Sequence, residues 1–256
     1  MFNLEKSTLA VVTGASQGIG RTIALSIAEK VKNLTIILIA RNEEALKQTK
    51  RLIEKANGGA EVKIYARDLS SIEIDECTSI MKENVKEFEN GVIFHNAGSL
   101  GCLDRTINLT DTKVWKQFFH LNVISASLLN SSFIHEMRYN AKNLFVVNIS
   151  SLCGIQAFKN MAMYGAGKAA RNLFFKVLAE EETDVKVLNY CPGPVDTNMV
   201  TQVIGDVKDS EVRSMFKGMR DNKTILSTEV TVDKLLGILQ AGDYKSGDVI
   251  DFYDRI

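Results

Sequence analysis

Short apolar runs rich in β-branched residues alternate along the chain with longer stretches whose apolar positions recur every three or four residues. The runs at 8–13, 34–40, 62–66, 92–95, 144–148 and 185–190 are too continuous for strands with one wet face and too short for ordinary helices. Each therefore reads as a strand buried on both sides. The amphipathic stretches at 20–30, 43–56, 72–88, 111–138 and 164–182 read as helices, with a last helix near 229–239 and a last strand near 248–252. Strand–helix alternation of this kind predicts a parallel sheet with helices on both faces. Right-handed crossovers then wind the chain in two directions from the first strand.

Both prolines, Pro192 and Pro194, fall in one short loop, and the helical stretches run without proline breaks. From 195 to 227 the pattern turns polar and irregular, with Met199, Met215 and Met219 spaced through it. This segment reads as an irregular insertion and a candidate lid over a pocket. No repeat or linker interrupts the rest, so one domain is expected over residues 1–256. Lysine plus arginine and aspartate plus glutamate both number 31, which leaves no basic face for nucleic acid or an anionic membrane. Cys77, Cys102, Cys153 and Cys191 have neither pair nor metal spacing and read as free thiols of a reducing compartment. The amino terminus lacks an apolar leader pattern, and no apolar run approaches the roughly 20 residues of a membrane span. A soluble, cytoplasmic protein is expected.

The first strand runs into Thr13-Gly14-Ala15-Ser16-Gln17-Gly18-Ile19-Gly20, followed by a helix. Glycines here let the chain turn tightly and bring backbone N–H groups up to a pyrophosphate at the helix amino terminus. A Rossmann-type α/β domain that binds a nicotinamide dinucleotide is the reading. Strand two ends Ala40-Arg41-Asn42 instead of on a carboxylate. A carboxylate there would repel a 2′-phosphate, whereas the forked donors of Arg41 suit it, so NADP(H) is the expected cofactor.

In Tyr164-Gly-Ala-Gly-Lys168 a phenol and an ammonium lie four residues apart on one helix face. The expectation is that the lysine charge favours the phenolate and lowers the tyrosine pKa, tuning it for proton exchange with a carbonyl oxygen. His95, His120 and His135 have no carboxylate or cysteine at ligand spacing, so no metal site is expected.

The Thr-Gly-x-x-x-Gly-x-Gly spacing resembles the short-chain dehydrogenase/reductase family, and the resemblance runs along nearly the whole chain. It implies that Gly14, Ser16, Gln17, Gly18, Ile19, Gly20, Arg41 and Asn42 line the cofactor site. It also implies that Asp68-Leu69 contacts the adenine and that Asn96 of Asn96-Ala97-Gly98 lies beside the cofactor. Pro192-Gly193 matches the turn before the nicotinamide carboxamide site, to which Val195, Thr197 and Met199 belong. Gln17 is a departure, since many NADPH-using members place a basic residue there. Ser151, thirteen residues before Tyr164, completes with Lys168 the family's Ser–Tyr–Lys constellation. Asn122 matches its fourth member, which supports a water linked to the lysine.

Four segments resemble more closely one branch of the family, the sepiapterin reductases: NISSLCGIQAF at 148–158, YGAGKAAR at 164–171, NYCPGPVDT at 189–197 and DFYD at 251–254. That resemblance implies that Asp251 anchors a pterin, with Ser151, Tyr164 and Gly193 completing the substrate site. A carboxylate suits the exocyclic amine and ring N–H that a pterin presents side by side. The implied reaction is NADPH-dependent reduction of pterin side-chain ketones in tetrahydrobiopterin formation. The alternatives are a general reductase of diketones, which needs no pterin anchor, and a non-catalytic NADPH-binding regulator. The family further implies a homodimer in which helices 111–138 and 164–182 meet their symmetry mates.

Overall fold

The computed structural model describes residues 1–255. Seven strands, β1 (Thr8–Thr13), β2 (Leu34–Ala40), β3 (Glu61–Ala66), β4 (Phe88–His95), β5 (Ala141–Ile149), β6 (Val185–Cys191) and β7 (Val249–Asp251), form one sheet in the order β3-β2-β1-β4-β5-β6-β7. Every pairing is parallel. The direction of winding reverses beside β1, which opens a crevice beyond the carboxyl ends of β1 and β4.

Continuous apolar strands feed both faces because successive side chains alternate. Ala10, Val12, Ile36 and Leu38 join one core cluster, under helices α1 (Gly18–Lys30), α2 (Glu43–Ala56) and α9 (Thr228–Ala241). Leu9, Val11, Ile37 and Ile39 join the other, with α3 (Ile74–Lys82), α5 (Ser125–Met137) and α6 (Ala162–Glu181). Among the described residues no helix is long and apolar enough to cross a membrane, and the four cysteines are free.

The structure differs from the sequence reading in three stretches. The helix expected at 72–88 stops at Lys82, where the Asn84 amide donates to the Ile80 carbonyl at 2.8 Å, and Phe88 already belongs to β4. The early half of β4 was masked by polar residues. Asn90 is fully buried, and its side chain donates to the Asn3 carbonyl at 2.8 Å.

The single helix expected at 111–138 is α4 (Thr112–Phe119) and α5 joined by a π turn, His120–Ile124. The segment 195–227 is not irregular, for it carries α7 (Asn198–Asp206) and α8 (Ser210–Asp221). Val200, Val203, Val207 and Val212 are its buried positions, a sparse apolar stripe in a polar background. Asp209 caps α8 by accepting from the backbone N–H groups of Glu211 and Val212. The two ends of this excursion meet, with Val195 bridging Leu226.

Candidate active site

The turn after β1 is built from backbone. Gly14 and Gly18 have φ of 67° and 54°, the left-handed region that favours glycine. A Cβ on Gly20 would lie 2.4 Å from the Gly14 carbonyl, so α1 starts directly on the turn. The first turn of α1 carries no acidic residue, and Gln17 at its N-cap makes no side-chain cap, leaving the leading N–H groups for an anion. This cradle fits a dinucleotide pyrophosphate. Ser16 offers its carbonyl to Arg21, and Ile19 packs on the core. The Gln17 amide oxygen accepts from Asn198 of α7 at 3.1 Å, and a Cβ on Gly18 would sit 3.5 Å from Thr197. The excursion thus begins against the glycine turn.

Asn96 staples the turn after β4 to the same place. Its amide donates to the Thr13 carbonyl at 3.0 Å, while the Asn96 and Ala97 N–H groups donate to the Thr13 hydroxyl. Further out, Arg41 is exposed, and Asn42 caps α2 through the Ala45 N–H. The carboxylate of Asp68 accepts from Ser70 N–H, which holds it below the usual carboxylate range, with a smaller contribution from the charge of Arg41. Leu69 is buried in the core, so only its backbone is available to a ligand.

Tyr164 and Lys168 rise from α6 into the crevice, and Ser151 ends the extension of β5. The Lys168 ammonium donates to the Ile149 carbonyl at 2.6 Å and stands 5.5 Å from the centre of the Tyr164 ring. The Tyr164 hydroxyl faces the Met199 sulfur of α7 at 3.8 Å. Ser151 reaches that same phenol, whereas the neighbouring Ser150 turns inward to Asn172 at 2.5 Å.

Asn122 is buried in the π turn. Its oxygen accepts from Ser99 N–H at 2.9 Å, and its amide donates to the Phe118 carbonyl at 2.9 Å. These contacts spend the side chain on shaping the turn after β4.

Electrostatics here depart from the expectation for Tyr164. Burial, reinforced by Cys153, raises its pKa above the ordinary phenol value, opposed by the hydrogen bond with Ser151 and the charge of Arg171. Burial also pushes Lys168 well below the usual lysine range, with Arg171 adding to the effect. Exclusion of water thus opposes the charged form of both groups.

Asp251 ends β7 in register with Cys191 and is half-buried. Its Oδ1 accepts from Tyr253 N–H at 3.0 Å. Burial raises the thiol of Cys191, its register partner on β6, to about 11. Gly193, with φ of 73°, packs beside Leu226, Phe252 and Tyr253.

A third apolar cluster encloses Tyr164 with Leu100, Leu103, Met161, Val203, Val207 and Val212, and Cys153, Phe158 and Met199 pack on it. The α7–α8 excursion therefore roofs the phenol, and Arg220 clasps its base through Asp196 at 2.7 Å. Sequence reasoning found Val195, Thr197 and Met199 in this region but missed the remaining apolar lining, which has no local signature. It also left Arg171 without a role, although 164, 168 and 171 share one helical face.

A model of the short chain dehydrogenase family matches residues 8–208. Sepiapterin reductase of Xenopus tropicalis is 37% identical to this chain over 256 residues, covering 97% of each. Benzil reductase ((S)-benzoin forming) of Bacillus cereus is 26% identical over 249 residues, covering 94% of this chain and 97% of that protein. Among solved structures, a short chain dehydrogenase from Shigella flexneri 2a strain 301 complexed with NADP matches with a TM-score of 0.81. It is 25% identical, and the match covers 97% of this chain and 98% of that one.

Proposed function

This chain belongs to the short-chain dehydrogenase family and is an oxidoreductase acting on carbonyls; from that premise we propose that it uses NADPH to reduce the side-chain ketones of a pterin. Sepiapterin and 6-pyruvoyl-tetrahydropterin are the substrates meant, in the formation of tetrahydrobiopterin. The observation that carries this reading is the half-buried carboxylate of Asp251 at the carboxyl end of β7, in register with Cys191 at the end of β6. Similarity to the Xenopus tropicalis sepiapterin reductase over 97% of the chain supports it.

The chain's own residues divide the work. Gly14, Gly18, Gly20 and the start of α1 hold the pyrophosphate, with Ser16, Gln17 and Ile19 lining the same turn. Arg41 and Asn42 meet the 2′-phosphate, Asp68 and the Leu69 backbone the adenosine, and Asn96, Lys168, Val195, Thr197 and Met199 the nicotinamide half. When bound, the nicotinamide supplies the hydride that reduces the carbonyl carbon. Ser151 donates a hydrogen bond to the carbonyl oxygen. Tyr164, kept protonated by burial, gives its proton to that oxygen as negative charge develops there. Asn122 fixes the turn beneath, and the apolar cluster under α7 and α8 keeps water out. Gly193 leaves room for the pterin ring, and Asp251 accepts from its paired N–H donors.

The test is Asp251→Asn. An amide loses one acceptor and opposes a ring donor, so kcat/KM for sepiapterin should fall roughly 10- to 200-fold, about 1.5–3 kcal/mol. Reduction of a simple diketone by the same variant should be nearly unchanged. Equal losses on both substrates would leave the second reading, a general diketone reductase, which the likeness to the Bacillus benzil reductase favours.

We further propose a cytoplasmic homodimer. Ile124, Leu173 and Val177 are exposed along the π turn and α6, an apolar surface that a second copy would cover. Light scattering at micromolar concentration should report twice the chain mass, and a monomer alone would reject the dimer.

A further inference from the structure

Strand β7 is three residues long and pairs only with β6 among the described residues, so the turn after it hangs from a short edge. That turn, 251–254, carries the carboxylate on which the pterin reading depends. Its own residues interlock. The Asp254 N–H donates to the Asp251 carbonyl at 3.0 Å, and the Asp251 N–H donates to Asp254 Oδ2 at 2.8 Å. Because the Tyr253 N–H also holds Asp251 Oδ1, the direction of that side chain follows the shape of the turn. On the sheet side the Phe252 N–H donates to the Cys191 carbonyl at 2.9 Å. A Cβ on Gly193 would lie 3.4 Å from Tyr253 and 3.5 Å from Phe252, so the turn walls the same place.

A residue of α9 holds the turn from outside. The Lys234 ammonium donates to the Phe252 carbonyl at 2.5 Å and to the Asp254 carbonyl at 2.6 Å. It also stands 5.4 Å from the centre of the Phe252 ring. Lys234 is half-buried on a helix whose other face, Val232, Leu235, Leu236 and Leu239, is sealed into the core. The helix is therefore the fixed end of the contact and the turn the movable one.

A surface lysine keeps its rotamer freedom by staying in water, and fixing it in one geometry gives that freedom up. Charge-assisted hydrogen bonds to two carbonyls of one turn offset the loss. With three donors and no acceptor, an ammonium can serve both converging carbonyls at once.

We propose that Lys234 is a positioning residue for pterin specificity: by clamping the 251–254 turn to α9, it aims the Asp251 carboxylate into the pocket. This rests on the assignment of Asp251 as the pterin anchor, and Lys234 acts only through it.

The test starts from Lys234→Met, which keeps the apolar stem and the helix propensity but removes the donors. KM for sepiapterin should rise about tenfold while kcat changes less than about twofold. KM for a simple diketone should stay within about twofold of wild type. The forked donors of Lys234→Arg can also serve two carbonyls, so sepiapterin KM should return to within about threefold of wild type. Loss of packing alone would instead damage both substrates and would not be rescued by arginine. Equal changes on both substrates, or none on sepiapterin, would overturn the proposal.

A double-mutant cycle with Asp251→Asn tests the route. In that background Lys234→Met should add no more than about a twofold loss on sepiapterin, because the group it aims is already disabled. A further loss of about tenfold would mean that Lys234 acts elsewhere, and the proposal would fall.

Hydrogen exchange separates the clamp from the pterin reading. In Lys234→Met the Tyr253 and Asp254 N–H groups should exchange about tenfold faster than in wild type. Unchanged exchange would show that no clamp exists. Should exchange quicken while Asp251→Asn lowers both substrates equally, the pterin anchor fails and the specificity assigned to Lys234 fails with it.

Discussion

At the carboxyl edge of the sheet, the turns after β1 to β3 are built differently from those after β4 to β6. The first set is backbone and surface: glycines at positive φ, an uncapped helix start, and an exposed Arg41 near Asp68. The second set is buried side chain: Tyr164, Lys168, Arg171 and Asn122, with Tyr164 enclosed by apolar residues that include Val203 of α7 and Val212 of α8. A dinucleotide phosphate needs N–H donors and a cation, which water tolerates. Proton exchange with a carbonyl needs groups whose charge is set by their surroundings, and that requires water to be excluded. The contrast teaches that recognition and chemistry draw on opposite ends of the solvent scale within one crevice.

The largest effect expected from breaking this contrast is on the buried side. Tyr164→Phe removes the proton while leaving the ring to pack, so turnover should drop 10²- to 10⁴-fold. Dinucleotide affinity, measured by calorimetry, should stay within about threefold of wild type, since the first set of turns is untouched. A variant that keeps more than about a tenth of its turnover would remove the phenol from the mechanism.

A smaller, opposite signature is expected on the exposed side. Arg41→Ala should weaken NADPH binding roughly 10- to 150-fold, about 1.5–3 kcal/mol, and leave NADH binding and the Tyr164 chemistry in place. Equal use of both cofactors by the wild type would show that the turn after β2 does not select the 2′-phosphate.

The mildest effect concerns acid stability. His95 titrates at 6.5 when free but at about 3 when buried under the turn after β4. Between these values the unfolded chain binds the proton and the folded chain does not, so stability is present above pH 6.5 and falls as pH falls. The slope should approach about 1.4 kcal/mol per pH unit near pH 5.5. Urea midpoints of wild type against His95→Asn over pH 5–7 should diverge by that slope. Parallel curves would mean that His95 is not sealed.

Much of the architecture was legible because its signals are local. Buried parallel strands show as continuous apolar runs, and the bounds of β1, β2 and α2 follow from them. The first half of β4 escaped because Asn90 is satisfied by Asn3 and Thr8, partners more than eighty residues away. Helices α7 and α8 escaped because so few of their positions are apolar, and what those positions pack against was unknown.

By itself, the sequence determined the doubly wound sheet, the glycine turn and the face of α6 that carries Tyr164 and Lys168. Each of these depends on spacing within a few residues, which the chain states directly. Only the tertiary structure decided the charge states in the pocket. It buried Lys168 with Arg171 beside it, set Met199 over the phenol and paired Cys191 with Asp251 across β6 and β7. A residue's type names the charges it can carry, but the cost of carrying one is set by how much water its distant neighbours exclude.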